Sequence, residues 1–140
     1  MNEPITITTI VDAPIERVWK YWTEPEHIKS WAFAGDWKAP HAENDLRVGG
    51  KFNTRMESAD GSEGFDLTGT YTGVTEHQVI EYDMDGEDHR HVKTLFEETP
   101  EGVKIAQTFD PENINSEEMQ RAGWQSILDN FKKHVEKDLK

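Results

Sequence analysis

The last stretch of the chain, Ser116 to Lys140, constrains the fold more than any other. Apolar residues recur there at Met119, Trp124, Ile127, Leu128, Phe131, Val135 and Leu139. Steps of three, four and five put them on one stripe of a 3.6-residue helix. Arg121, Asn130, Lys132, Lys133 and Lys137 take the opposite, solvated face. Asn115 is the expected N-cap, with Glu118 three residues on as its capping-box partner. Glu117 and Glu118 fall early and Lys132, Lys133, His134 and Lys137 late, an order that suits the helix dipole. One helix with so broad a stripe must lie on a large apolar surface. Gly123 stands beside Trp124 on the inner side. Its missing side chain either lets the helix approach its support closely or leaves room for a ligand.

The support is a sheet, because most of the remaining chain reads as strands. Ile5 to Val11 is rich in Ile and Thr. Asp12-Ala13-Pro14 stops it, with Asp12 or Ala13 as cap and Pro14 in the first turn of a helix carrying Ile15, Val18, Trp19 and Trp22. Thr23-Glu24-Pro25-Glu26 opens a second short helix as a capping box, running to about Trp31 with Ile28 and Trp31 inward. These two helices bracket one end of the sheet. Trp37 to Ala42 is a short strand, and Asn44 to Gly50 a turn. Phe52, Thr54 and Met56 then alternate with polar neighbours. So do Phe65, Leu67, Gly69, Tyr71 and Gly73, then Ile80, Tyr82 and Met84, then Val92, Thr94 and Phe96, then Val103, Ile105, Gln107 and Phe109. Asp60-Gly61, Asp85-Gly86 and Glu101-Gly102 join them as tight turns. Short hairpins require antiparallel neighbours. The expectation is an α+β fold in a single domain over residues 1–140: a curved antiparallel sheet wrapped around the C-terminal helix.

The charge balance narrows the partners. Fifteen Lys and Arg stand against 28 Asp and Glu, a formal net charge of −13. Such a field repels phosphate backbones and anionic membrane surfaces, so no nucleic acid and no membrane insertion is expected. The chain has no cysteine, hence no disulfide and no thiolate chemistry. The N-terminus lacks a basic region followed by an apolar run, and no stretch reaches the length of a membrane span. A cytoplasmic protein is expected.

Little in the sequence points to catalysis. No Gly-x-Ser-x-Gly elbow and no glycine-rich phosphate loop occurs. His89 and His91 share a strand face, but no third ligand stands at diagnostic spacing. They read as solvated hairpin residues, and His27, His41, His77 and His134 as single surface residues. No catalytic residue, metal or cofactor is therefore expected. Arg55 and Gln107 are the polar residues to locate; Gln107 points inward, as a bonded core amide or as a ligand contact. Phe52, Tyr71, Tyr82, Phe96, Phe109, Trp124 and Phe131 all fall on inner faces. They either fill a core or, opposed by Gly69, Gly73 and Gly123, leave a void for a flat apolar ligand.

A resemblance bears on that choice. Asp12-Ala13-Pro14-Ile15-Glu16-Arg17-Val18-Trp19, Thr23 to Trp31 and Asp45-Leu46-Arg47-Val48-Gly49-Gly50-Lys51-Phe52 resemble START-like (SRPBCC) helix-grip proteins. Gly123 to Phe131 looks like the closing helix of the branch similar to the C-terminal domain of the activator of heat-shock protein 90 ATPase. The run Trp31-Ala32-Phe33 departs from the consecutive aromatics common in that branch and bears on the cavity mouth. The resemblance implies a helix-grip fold with an apolar cavity between long helix and sheet. The wider group includes lipid carriers, polyketide cyclases, plant hormone receptors and chaperone activators. The expected function is binding of a small hydrophobic molecule, aromatic or lipid-like. Its walls would be Phe52, Met56, Tyr71, Tyr82, Phe96, Gln107, Phe109, Gly123, Trp124, Ile127 and Phe131. The alternatives are a module that stimulates a chaperone ATPase and a cyclase- or hydrolase-like enzyme. The extra N-terminal domain of the eukaryotic activators is not expected here, which places the chaperone second.

Overall fold

The computed structural model describes residues 3–33, 35–85 and 90–137. The strands are β1 (Ile5–Val11), β2 (Lys38–Asn44), β3 (Lys51–Glu57), β4 (Gly64–Thr75), β5 (Val79–Met84), β6 (His91–Thr99) and β7 (Gly102–Phe109). The helices are α1 (Ile15–Thr23), α2 (Pro25–Ile28) and α3 (Glu117–Lys137). All seven strands form one antiparallel sheet in the order β1-β7-β6-β5-β4-β3-β2. The strand that begins the chain thus pairs with the one before α3, Ile5 opposite Phe109 and Val11 opposite Val103. α3 packs against the curled sheet, and the whole is an α+β helix-grip fold. Among the described residues no helix is long and apolar enough to cross a membrane.

The core lies between α3 and the inward faces of the strands. Leu128, Phe131 and Val135 from the helix meet Ile5, Ile7 and Val11 of β1, Val92 and Phe96 of β6 and Ile105 and Phe109 of β7. Each such side chain contributes roughly 1.5–3 kcal/mol by leaving water. Trp19 and Trp22 of α1 set their rings edge-on to Phe96 at 5.4 and 5.5 Å, so the first helices bracket the same core from one end.

Several local features differ from the sequence expectation. Ser116, not Asn115, caps α3: its Oγ accepts the Met119 N–H at 3.2 Å, reaching the third helical residue as a cap must. Asn115 instead gives its carbonyl to Gln120 Nε2 at 2.8 Å. Met119 is 64% exposed, so the stripe begins a turn later. Buried Gln120 takes the inward place, its amide bonded to the backbone of Glu112 and Asn115. Leu139 lies outside the described residues. The capping box at Thr23 does not form, because α1 continues through it and its hydroxyl donates to the Trp19 carbonyl at 2.8 Å. Pro14 itself occupies the cap position of α1. In β4, Tyr71 pairs with Tyr82 but Gly73 with Glu81, so one extra residue sits between them. This bulge flips the alternation. Val74, opposite buried Ile80, turns toward the core, and Gly73 faces the Glu81 side chain rather than the interior.

The polar side of α3 is tied to the sheet more than a solvated face would be. Arg121 Nη1 donates to the Thr6 carbonyl at 2.9 Å, Gln125 Nε2 to Thr8 at 3.2 Å and Lys132 Nζ to Ile10 at 2.6 Å. Glu136 accepts the Asp12 N–H at 2.8 Å. Alternate residues of β1, Thr6, Thr8 and Ile10, are thus bonded from one side of α3. Asn130 Nδ2 reaches the Phe33 carbonyl at 2.7 Å, fixing the segment after α2 to the same helix.

Candidate functional site

Beside the core, the sheet and α3 part around a cavity of about 260 Å³. Phe52, Thr54 and Met56 of β3 and Phe65, Leu67 and Tyr71 of β4 form one wall. Ile80, Tyr82 and Met84 of β5 continue it, with Arg90 at the head of β6 and Gln107 on β7. Trp124, Ile127 and Leu128 of α3 face them. Trp22, Ile28, Trp31 and Ala32 close the end. The strand residues are there because alternate positions point inward. The α3 residues stand at three- and four-residue spacing on its inner face.

Seven of the eleven residues named from sequence line this space: Phe52, Met56, Tyr71, Tyr82, Gln107, Trp124 and Ile127. Four lie outside its walls. Phe96 and Phe109 are buried deeper in the core. Phe131 sets its ring edge-on to both Trp22 and Trp31, at ring separations of 4.8 and 5.0 Å, and those two rings also touch each other at 4.7 Å. Gly123 abuts neither the sheet nor the cavity: a Cβ built there meets no heavy atom within 4 Å. Gly69 does not open the void either, because the Phe52 ring lies over it, 2.5 Å from where a Cβ would stand. The helical walls Trp22, Ile28 and Trp31 read from sequence only as inward helix positions. Phe65, Leu67, Ile80 and Met84 are legible by alternation but stand outside the eleven expected wall residues.

The walls are ring-rich and internally braced. Phe52, Tyr71 and Tyr82 form a tilted and edge-to-face trio at 5.4, 4.7 and 6.3 Å. Trp124 stacks flat on Phe109 at 4.1 Å, so its position is set by the solid core behind it. The Tyr71 hydroxyl donates to Asn44 Oδ1, and Asn44 Nδ2 to the Thr23 carbonyl at 2.6 Å. That chain links the cavity wall through β2 to α1. Burial raises the Tyr71 phenol above its ordinary value, against the lowering effect of the Asn44 bond. Burial likewise raises Tyr82, while the positive charge of Arg90 acts to lower it. Both phenols are neutral near pH 7 and serve as hydrogen-bonding groups. Gln107 Nε2 donates to Thr94 Oγ1 at 3.1 Å, so Gln107 is both a bonded core amide and part of the wall. Among the described residues, no carboxylate and no imidazole lines the cavity.

The other polar residues fall elsewhere. Arg55 lies away from the cavity, bonded to Glu57 at 3.1 Å and 3.7 Å from Asp66. His91 bridges Asp83 at 2.7 Å and Glu81 at 3.1 Å. The Asp83 bond, more than the Glu81 bond, raises its pKa above the usual value. His89 lies outside the described residues, among which no group of three or more His, Asp or Glu could hold a metal ion. His27 and His134 are not single surface residues. Their ring nitrogens meet at 3.0 Å, with Tyr21 stacked on His27 at 3.8 Å, joining α1, α2 and α3.

Comparison with known proteins agrees with this architecture. Residues 12–136 match the family described as Activator of Hsp90 ATPase homolog 1-like protein. The AHSA1-like protein from Aeromonas hydrophila, solved in solution, is 41% identical with a TM-score of 0.89, over 97% of this chain and 94% of that one. A protein from Cytophaga hutchinsonii, also a solution structure, is 44% identical with a TM-score of 0.81 over the same shares. A crystal structure from Nitrosomonas europaea shares the fold at 21% identity, with a TM-score of 0.83 over 96% of this chain and 95% of that one. No curated protein matches the chain.

Proposed function

We propose that this chain, which belongs to the Activator of Hsp90 ATPase homolog 1-like family, binds a compact apolar molecule in the cavity between its sheet and α3. The observation that carries this reading is the cavity itself, a ring-lined space of about 260 Å³. Small-molecule sites span roughly 300–1,000 Å³ and are mostly apolar with a few placed polar groups. At about 260 Å³ this one falls just below that range. A one- or two-ring aromatic or a medium acyl chain suits it better than a diacyl lipid. Binding is favoured over turnover because the described walls offer hydroxyls, an amide and a guanidinium but no acid–base pair. The test is a titration with one- and two-ring aromatic and medium-chain fatty-acyl compounds followed by amide chemical shifts. Shifts are expected at Tyr71, Tyr82, Trp124 and Ile127. If no compound moves these signals, the reading fails.

The family description supports a second reading, stimulation of a chaperone ATPase. The site would then be an outer surface, and the charge of −13 would steer the domain to a basic patch with a salt-dependent on-rate. Chaperone ATP turnover measured with and without the protein, at low and moderate salt, decides it. No stimulation at either salt removes this reading.

A further inference from the structure

Three oxygens in the cavity wall have no hydrogen-bond partner among the described residues: the hydroxyls of Thr54 on β3 and Tyr82 on β5, and Oε1 of Gln107 on β7. The polar groups around them are engaged. The Tyr71 hydroxyl donates to Asn44, the Gln107 amide N–H donates to Thr94 at 3.1 Å, and Arg90 has an interaction of its own. Nor are the three oxygens sealed into the packing as Asn53 Oδ1 is. Thr54 and Gln107 are only 5% and 7% exposed, and the Tyr82 ring is held on the inner face edge-on to Phe52 and Tyr71. Oxygens that are neither bonded nor sealed, on inward residues that line the cavity, border its open space. We propose that the ligand of this cavity is a compact neutral aromatic molecule with at least one hydroxyl, a phenol or aromatic alcohol, held by these oxygens. The inference rests on the cavity reading above and names the ligand's polar groups.

An entirely apolar ligand would cover these oxygens without pairing them, and an unpaired polar group is costly to bury. A hydroxyl is the group that answers all three. Gln107 Oε1 only accepts, and its own N–H is already bonded to Thr94, so it needs a donor from the ligand. The Thr54 and Tyr82 hydroxyls both donate and accept, so a ligand hydroxyl can meet either of them from both sides. A carboxylate or a ketone only accepts and would leave Gln107 Oε1 unsatisfied. The three residues stand on alternate strands of the sheet, β3, β5 and β7. Strands two apart lie about 10 Å from each other in a flat sheet and present their inner side chains closer together where it curls. That spread suits a flat body with polar groups on its rim better than a chain with one polar end.

The experiment compares phenols with hydrocarbons in which a methyl group replaces the hydroxyl: 2-naphthol against 2-methylnaphthalene, and 4-ethylphenol against 4-ethyltoluene. Each is titrated into the full chain near pH 7 and followed by amide shifts. A methyl group has nearly the size of a hydroxyl and leaves water more readily, so a cavity that reads only apolar surface prefers the hydrocarbon of each pair. Engaged oxygens reverse that order, and at least one phenol should bind about threefold or more tighter than its methyl partner. A smaller preference, or the opposite one, in both pairs overturns the proposal and leaves the cavity reading standing. That comparison needs no variant. Tyr82→Phe and Thr54→Val each remove a hydroxyl that has no partner among the described residues, so the urea midpoint should not fall. At least one of these two, or Gln107→Met, should return the preference to the hydrocarbon while the hydrocarbon's own affinity stays within about twofold. A phenol preference kept by all three folded variants overturns the assignment, as does equal weakening of both members of a pair in each of them. Failure of all four compounds to bind overturns this inference, and the cavity reading falls with it if the fatty-acyl compounds also leave the wall signals unmoved.

Discussion

Replacing Gly123 with Ala tests the placement of α3 more sharply than any change in the cavity. Gly123 lies inside the 21-residue helix, where glycine is about 0.8–1.0 kcal/mol less favourable than alanine. Beyond its own helix backbone and chain neighbours the added methyl meets no heavy atom within 4 Å, so no tertiary packing term of note accompanies it. The net expectation is a stabilisation of about 0.5–1 kcal/mol, arising mainly from the smaller freedom of the unfolded chain. In a domain of this size that raises Tm by roughly 1–4 °C. Urea unfolding followed by tryptophan fluorescence should show a higher midpoint with an unchanged slope. Affinity for a cavity ligand should not change. A tight helix–sheet contact at Gly123 would instead cost about 1–3 kcal/mol through overpacking. A lowered midpoint would therefore refute the reasoning. A loss of ligand affinity without loss of stability would return Gly123 to the cavity wall.

The other expectations concern the walls and the outer face. Phe131→Ala should cost about 3–5 kcal/mol, because the ring is fully buried against Trp22 and Trp31. Trp124→Ala should cost less, about 2 kcal/mol, since one face of the half-buried ring stacks on Phe109 and the other borders a void. Its effect on ligand affinity should be larger than that of Phe131→Ala, and unfolding curves that reverse the stability order would contradict this division. Tyr71→Phe removes the donor to Asn44 and should destabilise by about 1–2 kcal/mol, read by the same unfolding assay; a neutral result would mean that water replaces the hydroxyl. His91 is raised in the folded state chiefly by its bond to Asp83, so its stabilisation is full below about 6.5 and lost as pH rises through the folded value. The stability difference between the unmodified protein and His91→Gln should therefore shrink as pH rises from about 6.5 through the raised folded value. A difference that widens over that range would count against the assignment.

The alternation of strands and the helical stripe made the fold legible, because both report burial directly. What escaped depended on distance or on a single added residue. The extra residue near Thr72 shifts the phase of β4, so Gly73 reads inward by count and faces Glu81 in space. His27 and His134 are 107 residues apart, and no local pattern announces that they meet. Phe96, Phe109 and Phe131 share inner faces with the cavity residues, but period alone does not separate solid core from the rim of a void. Arg90 was hidden for a different reason: it stands in a charged run between hairpin and strand, where an arginine reads as solvated. Ser116 and Asn115 are both good caps, and only the bond from Met119 distinguishes them.

The bonds from α3 to alternate residues of β1 bear on aggregation. β1 is the last strand on its side of the sheet, and an unpaired strand edge is a template for joining another chain. Arg121, Gln125 and Lys132 occupy the Thr6, Thr8 and Ile10 carbonyls, and Glu136 takes the Asp12 N–H. At the other margin β2 carries Pro40, which has no N–H to offer. Both margins are thus blunted, by different chemistry. The protection of β1 exists only once α3 has docked, and α3 is the later of the two in chain order. A nascent or clipped molecule without that helix would present β1 bare, which makes the docking of α3 the step that separates a self-contained sheet from a sticky one.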